Sequence, residues 1–246
     1  MPTSDAREFY AFCMIVATAV AAWLIRRQQR ELAIDKGRKL AIAIGGLIGA
    51  TFFAKLPFIL EGQPGHGILN FWMSDGKTIL WALVGGYLGV EVAKWAVHVR
   101  ASTGDTFVIP IALAIAIGRF GCLHYGCCYG TFTDQSWGVR FTTAPDAGTM
   151  LRHPVQLYEF AFHGSFAIVA WSAMSNSRSY PGLRGNWMPI YMISYALFRF
   201  ISEYWRPERT VFAGLTFYQL SSLAISLGFT TLLAVRYLRH ARRPTA

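Results

Sequence analysis

Charge is what this chain has least of. Only 15% of its 246 residues are Asp, Glu, Lys or Arg, where an ordinary soluble domain carries about a quarter. That shortage excludes a conventional water-soluble globule. Acidic residues are the scarcer sign, 13 against 23 basic ones, for a net charge of +10. Cysteine is sparse as well. Four residues, Cys13, Cys122, Cys127 and Cys128, do not make a secreted disulfide scaffold. There is no internal repeat and no low-complexity tract, which excludes solenoids and biased linkers. The longest piece between apolar runs is 122–154, too short for a separate soluble domain.

Apolar residues are abundant, at 54% of the chain. They gather in seven runs near 9–25, 40–60, 78–98, 106–121, 155–175, 187–205 and 214–235. Runs of this length match the hydrocarbon core of a bilayer. The fold predicted is an all-α integral membrane protein with about seven transmembrane helices, forming a single polytopic domain over 1–246. The first run follows Asp5, Arg7 and Glu8 and ends in Arg26-Arg27 without a convincing cleavage site. It therefore reads as a retained span rather than a signal peptide. The fourth run is short and Gly-rich at its end, which predicts a helix that breaks inside the protein. Thirteen Lys/Arg fall in the segments 26–39, 99–105, 176–186 and the tail from Arg236, against six in the alternate segments. The positive-inside rule then puts the N-terminus outside and the C-terminus in the cytoplasm. The basic excess is assigned to orientation and anionic headgroups, not to nucleic acid.

Given that orientation, three spans deliver polar residues to one membrane face. Arg119 lies near the outer end of the fourth. His153, Gln156 and Glu159 lie at the start of the fifth. Arg199, Glu203 and Arg206 lie at the end of the sixth, with i,i+4 and i,i+3 spacings that share one helix face. Charge at that depth is costly and points to function, although an arginine at a helix end also snorkels for no other reason. Repeated arginines favour bidentate recognition of a phosphate, which in a bilayer belongs to a lipid. Glu159 and Glu203 are placed to hold the guanidinium forks. Elsewhere, Glu91 and Lys94 read as a structural pair, and Lys55 as a residue reaching for an interface. The runs Gly45-Gly46…Gly49 and Gly85-Gly86…Gly89 read as close helix packing.

Several of these segments resemble the signatures of the bacterial prolipoprotein diacylglyceryl transferase family. They are Gly118-Arg119-Phe120-Gly121 with Gly126 and Gly130, His153-Pro154-Val155-Gln156-Leu157-Tyr158-Glu159, and Tyr195-x-x-Phe198-Arg199-Phe200-x-x-Glu203-x-x-Arg206 followed by Gln219-Leu220-Ser221. Gly85-Gly86-Tyr87-Leu88-Gly89 resembles the Gly-Gly element of the family's third span. The resemblance implies a multi-pass enzyme of the bacterial inner membrane. Its reaction moves the diacylglyceryl group of phosphatidylglycerol to the lipobox cysteine of a preprolipoprotein and releases glycerol phosphate. It implies that Arg119 and Arg199 bind the lipid phosphate and that Glu203 and Arg206 orient them. His153 and Tyr195 line the pocket, and Gly118, Gly121, Gln156, Glu159, Gly85 and Gly86 contribute to substrate binding. No cofactor or metal is implied.

The chain departs from that pattern at informative places. Val84 stands where the family usually has a histidine, and valine cannot accept a proton. Cys122 and Cys127 replace an Asn and an acidic residue, Cys128 follows, and His124 is added. These four residues, with His153, are candidates for a nucleophile or a base, since a thiol near Arg119 has its thiolate favoured. The plainer reading of Cys122, Cys127 and Cys128 is a structural disulfide, with Cys122–Cys127 pairing open to them outside the membrane, or buried small hydrophobes. A metal site built from these cysteines with His124 is disfavoured, because the spacing does not match a standard zinc pattern. Two alternatives stay open: a paralogous transferase with a different acceptor, and a membrane lipid-binding or thiol-redox protein.

Overall fold

The computed structural model describes residues 2–60, 78–176 and 181–241. Residues 61–77, His66 among them, and the basic residues Arg178, Arg242 and Arg243 lie outside the described residues. Among the described residues there are seven long helices: α1 (Ser4–Gln28), α2 (Lys36–Leu60), α3 (Ile79–Ala96), α4 (Asp105–Tyr125), α5 (Val155–Ser175), α6 (Trp187–Ser202) and α7 (Phe217–Ala241). Five of them, α1 through α4 and α7, are long and apolar enough to cross a membrane. Gln156, Glu159 and His163 interrupt the apolar character of α5, and α6 has only 16 residues. Large apolar side chains point outward along these helices, among them Ile15, Leu47, Trp95, Trp171 and Leu227. Such a surface suits hydrocarbon as its solvent.

The chain divides into two compact units, Met1–Arg30 with Thr103–Ala246, and Glu31–Ser102. The second unit is built on α2 against α3. Glycine permits the approach. A Cβ on Gly45 would lie 2.6 Å from Ala93 Cβ, and one on Gly49 would lie 3.1 Å from Gly89 Cα. Gly85 faces the Phe53 ring in the same way. This is the small-residue packing expected of the two glycine runs. Glu91 and Lys94 form the expected pair at 2.9 Å. Lys55 differs from expectation, being buried rather than extended to an interface.

In the first unit α4 is the central element, packing on α1 and α5. Its starting residue Asp105 accepts hydrogen bonds from Gly185 N–H (2.5 Å) and Trp187 N–H (3.1 Å), tying the start of α4 to the start of α6. Arg236 of α7 donates to Gly185 O and Asn186 Oδ1 at the same end. α4 runs unbroken through Gly118 and Gly121, contrary to the predicted internal break. A Cβ at Gly121 would meet Cys13 Cβ of α1 at 2.9 Å, so that glycine admits a neighbouring helix. The helix stops at Gly126, which takes the left-handed conformation (φ 78°). Gly126 N–H donates to Leu123 O and Cys127 N–H to Cys122 O, the paired bonds of a Schellman motif. β1 (Thr210–Phe212) and β2 (Leu215–Thr216) form a short antiparallel hairpin between α6 and α7, turning through Ala213 and Gly214 at positive φ.

Candidate active site

The ends of α4 and α6 meet the start of α5 around one carboxylate. Glu159, in the second turn of α5, is fully buried. Its Oε2 accepts from Arg119 Nε at 2.5 Å. Its Oε1 accepts from Arg206 Nη2 at 2.5 Å and from Arg199 Nη1 at 3.4 Å. Arg199 Nη2 also lies 2.8 Å from Glu203 Oε2 as an ion pair. The Arg199 guanidinium stands 5.0 Å over the Tyr218 ring of α7. Three guanidiniums against two carboxylates leave one positive charge in excess, in a place that excludes water. A buried cation without its counterion is strongly disfavoured. The cluster is therefore suited to receive an anion.

The arginines are held with donors to spare. Among the described residues, Arg119 uses only Nε, so its two terminal nitrogens remain available. Arg206 Nε is buried with no partner among the described residues. Glu203 is fixed from the far side. Thr216 Oγ1 donates to Glu203 Oε1 at 3.1 Å. Thr216 and Gln219 hold each other as a capping box, with N–H to Oε1 at 3.0 Å and N–H to Oγ1 at 3.2 Å. Gln219 Nε2 also donates to Phe200 O. The Gln219 motif is thus a brace between α6 and the start of α7.

Below the carboxylate lies an aromatic layer. Tyr195 is buried, with its ring centroid 4.6 Å from that of His163. Phe162 stacks on Phe198 at 4.5 Å. His163 Nδ1 lies 2.8 Å from Tyr191 Oη, and its Nε2 has no partner among the described residues. Gln156, one turn before Glu159, donates to Cys127 O at 2.5 Å, which binds the loop after α4 to the same centre.

The remaining predicted residues occupy other places. His153 Nδ1 lies 3.1 Å from Tyr158 Oη, which also accepts from Trp137 Nε1. Its ring is 5.9 Å from Trp205, and none of the three arginines pairs with it. Burial holds the His153 imidazole below its ordinary pKa, so the ring is neutral at neutral pH. His124 is exposed, with its ring 4.4 Å from that of Phe9 and 4.9 Å from that of Phe120. A Cβ at Gly118 would make ordinary contact with Met14 Sδ of α1 at 3.6 Å, and Gly121 also faces α1. Gly85 and Gly86 belong to the second unit and face α2. Cys122, Cys127 and Cys128 are all free thiols, with sulfurs within 4.8 Å of one another.

The loop 126–154 contains a residue that spacing did not single out. Arg152 is buried and donates to Asp146 Oδ1 from Nε (2.9 Å) and Nη2 (2.6 Å). Its guanidinium lies over the rings of Phe132 (4.1 Å) and Tyr129 (4.9 Å). The Arg152 hydrogen bond, then the Met150 N–H, hold the Asp146 carboxyl below its ordinary pKa. The only signal in the sequence was an arginine directly before His153-Pro154. Gly130 closes this loop. Its N–H donates to His153 O at 2.8 Å, and a Cβ there would lie 2.7 Å from Val155 Cγ2.

A family profile described as prolipoprotein diacylglyceryl transferase matches residues 6–235. The chain is 31% identical over 218 residues to the phosphatidylglycerol–prolipoprotein diacylglyceryl transferase of Desulfotalea psychrophila, covering 81% of this chain and 76% of that protein. It is 31% identical over 215 residues to the protein of that name from Coxiella burnetii, covering 81% and 77%. With the protein of that name from Azotobacter vinelandii it shares 29% identity over 257 residues, covering 96% and 92%. The matched region contains every residue of the arginine–carboxylate cluster, and the chain belongs to the prolipoprotein diacylglyceryl transferase family.

Proposed function

We propose that this protein transfers the diacylglyceryl group of phosphatidylglycerol to the lipobox cysteine of preprolipoproteins in the bacterial inner membrane, releasing glycerol phosphate. Family membership and the names of the relatives support the reaction. The observation that carries it on this chain is the buried excess of positive charge around Glu159. In the reaction a thiolate sulfur attacks the glyceryl carbon, and the bond from that carbon to the phosphate oxygen breaks. Negative charge grows on the departing glycerol phosphate. Arg119 and Arg199 neutralise it, an electrostatic stabilisation that is strong where water is excluded. Glu159, Glu203 and Arg206 hold those two guanidiniums in register. Gln156 and Gly118 contribute to the binding of the lipid and the acceptor. Tyr195 and His153 line the approach, and the neutral imidazole of His153 is one base for the acceptor thiol in place of Val84. His124 is a second.

α5 and α6 count as spans in this reading, for seven in all, with the N-terminus outside. The polar residues that lower the hydropathy of α5 are the ones turned to the buried cluster, so they do not argue against a membrane position. A second reading keeps the donor and changes the acceptor. Val84 and the three cysteines favour it, since both alterations touch acceptor activation and leave the arginines intact. A binding assay with phosphatidylglycerol vesicles separates donor from acceptor. Arg199→Lys keeps the charge and loses the fork, so lipid binding weakens if Arg199 grips the phosphate. Undisturbed binding would remove that role.

A further inference from the structure

The Schellman turn at Gly126 folds the chain back on the last turn of α4, bringing Cys127 and Cys128 beside Cys122. The three Sγ atoms lie within 4.8 Å of one another, and all are unpaired thiols. For any triangle with sides of that length, a point exists within about 2.8 Å of all three corners, close to the zinc–sulfur bond of about 2.3 Å. Cys128 is exposed and sits at positive φ (62°), a costly conformation for a residue other than glycine and one that gathers at functional sites. His124 is not a fourth ligand. Its ring is packed between Phe9 and Phe120. Three ligands with an open position are the arrangement of catalytic zinc sites, whereas structural ones are closed.

We propose that Cys122, Cys127 and Cys128 bind one zinc ion through three thiolates, and that its open position takes the sulfur of the acceptor cysteine. The second half rests on the transferase reading. A thiol bound to zinc gives its proton to water and stays a thiolate. That sulfur then forms the bond to the glyceryl carbon, and the carbon–oxygen bond breaks with its electron pair on the phosphate oxygen. Val84 leaves the chain without the family's histidine, and the three cysteines supply another way to activate the thiol. Gln156, one turn before Glu159, links the cysteine turn to the arginine cluster through its bond to Cys127 O.

The test uses the full-length protein in detergent under a phosphine reductant, with cadmium(II) as probe. The expected result is an ultraviolet thiolate-to-cadmium band that saturates at one equivalent, is competed away by a large excess of zinc(II), and is lost in Cys122→Ser and Cys128→Ser. Zinc(II) also shields Cys122, Cys127 and Cys128 of the unmodified protein from alkylation, read by mass spectrometry, so the test does not depend on the variants folding. A lipobox peptide raises the band by about one third as four thiolates replace three, and its Cys→Ser version does not. Absence of stoichiometric binding, equal alkylation with and without zinc, or a Cys122–Cys127 disulfide that persists under reductant overturns the site. A band indifferent to the peptide overturns the acceptor role. Neither cadmium binding nor alkylation requires turnover, so failure of the transferase reading leaves them unchanged.

Discussion

Replacing Glu159 with glutamine keeps the shape of the side chain and removes the one charge that three arginines share. In the native protein its two oxygens receive Arg119, Arg206 and Arg199 at 2.5, 2.5 and 3.4 Å, with no exposure to solvent. The change raises the local excess from one positive charge to two. A pair of unit charges near 4 Å interacts by about 4 kcal/mol at an effective dielectric constant of 20. Breaking one member of a buried set costs about 3–5 kcal/mol net, because the remaining charges stay buried. For a chain of this size each kcal/mol moves the melting temperature by about 2–4 °C. Glu159→Gln is therefore expected to melt roughly 6–20 °C lower, followed by tryptophan fluorescence in detergent. Removing one of the two cations, Arg119 or Arg206, whose only ion-pair partner among the described residues is Glu159 tests the cause. Arg206 has Glu159 as its sole ion-pair partner among the described residues, so Arg206→Met added to Glu159→Gln should restore part of the loss. A single variant that melts within about 2 °C of the parent, or a double variant with fully additive losses, would refute the account of Glu159 as the shared counterion.

Other expectations follow from the same geometry. Arg199→Lys should lower turnover by about 100-fold or more with the fold intact, because the fork that reaches Glu159 and Glu203 is lost; unchanged turnover would contradict its placement on the phosphate. Gly126→Ala forces a side chain into φ 78° with its Cβ 2.5 Å from Thr143 Oγ1, at a cost of about 1–3 kcal/mol. Thiol-alkylation kinetics should then show Cys127 and Cys128 reacting faster, and parental kinetics would count against the turn as their organiser. The Asp146–Arg152 pair is expected to stabilise its loop fully above the ordinary carboxylate pKa. That stability is lost as pH falls through the lowered value, because the folded state holds the carboxyl down. Hydrogen exchange at Val139 and Arg152, whose backbones pair, should lose protection on acidification in the parent and lack that pH dependence in Asp146→Asn.

What was legible in the sequence was whatever periodicity records. Apolar length alone located seven helices within a few residues. The i,i+4 relation of Arg199 and Glu203 correctly placed an ion pair on one face of α6. Loop charge and helix order brought Arg119, Glu159 and Arg199 to one end of the bundle. Contacts between helices were not legible. Spacing on α5 cannot show that one carboxylate receives arginines from α4, from α6 and from just beyond it, since that depends on how the helices pack. The predicted break in α4 failed for a related reason. Gly118 and Gly121 suggested a weak helix end, but Gly121 is small because Cys13 of α1 lies against it. The stop signal was Gly126, whose left-handed conformation also gathers the cysteines. Arg152 and Asp146 lie six residues apart in a loop, where no period links them. The hairpin at 210–216 was hidden by its shortness.

The central claim is chemical, and one reaction tests it. Purified protein is incubated with phosphatidylglycerol labelled in its glycerol headgroup and a lipobox peptide carrying its cysteine. The account predicts labelled glycerol phosphate in solution and a peptide heavier by one diacylglyceryl group, with both products lost in Arg119→Met. Phosphatidylglycerol left intact, with the peptide unmodified, would contradict it.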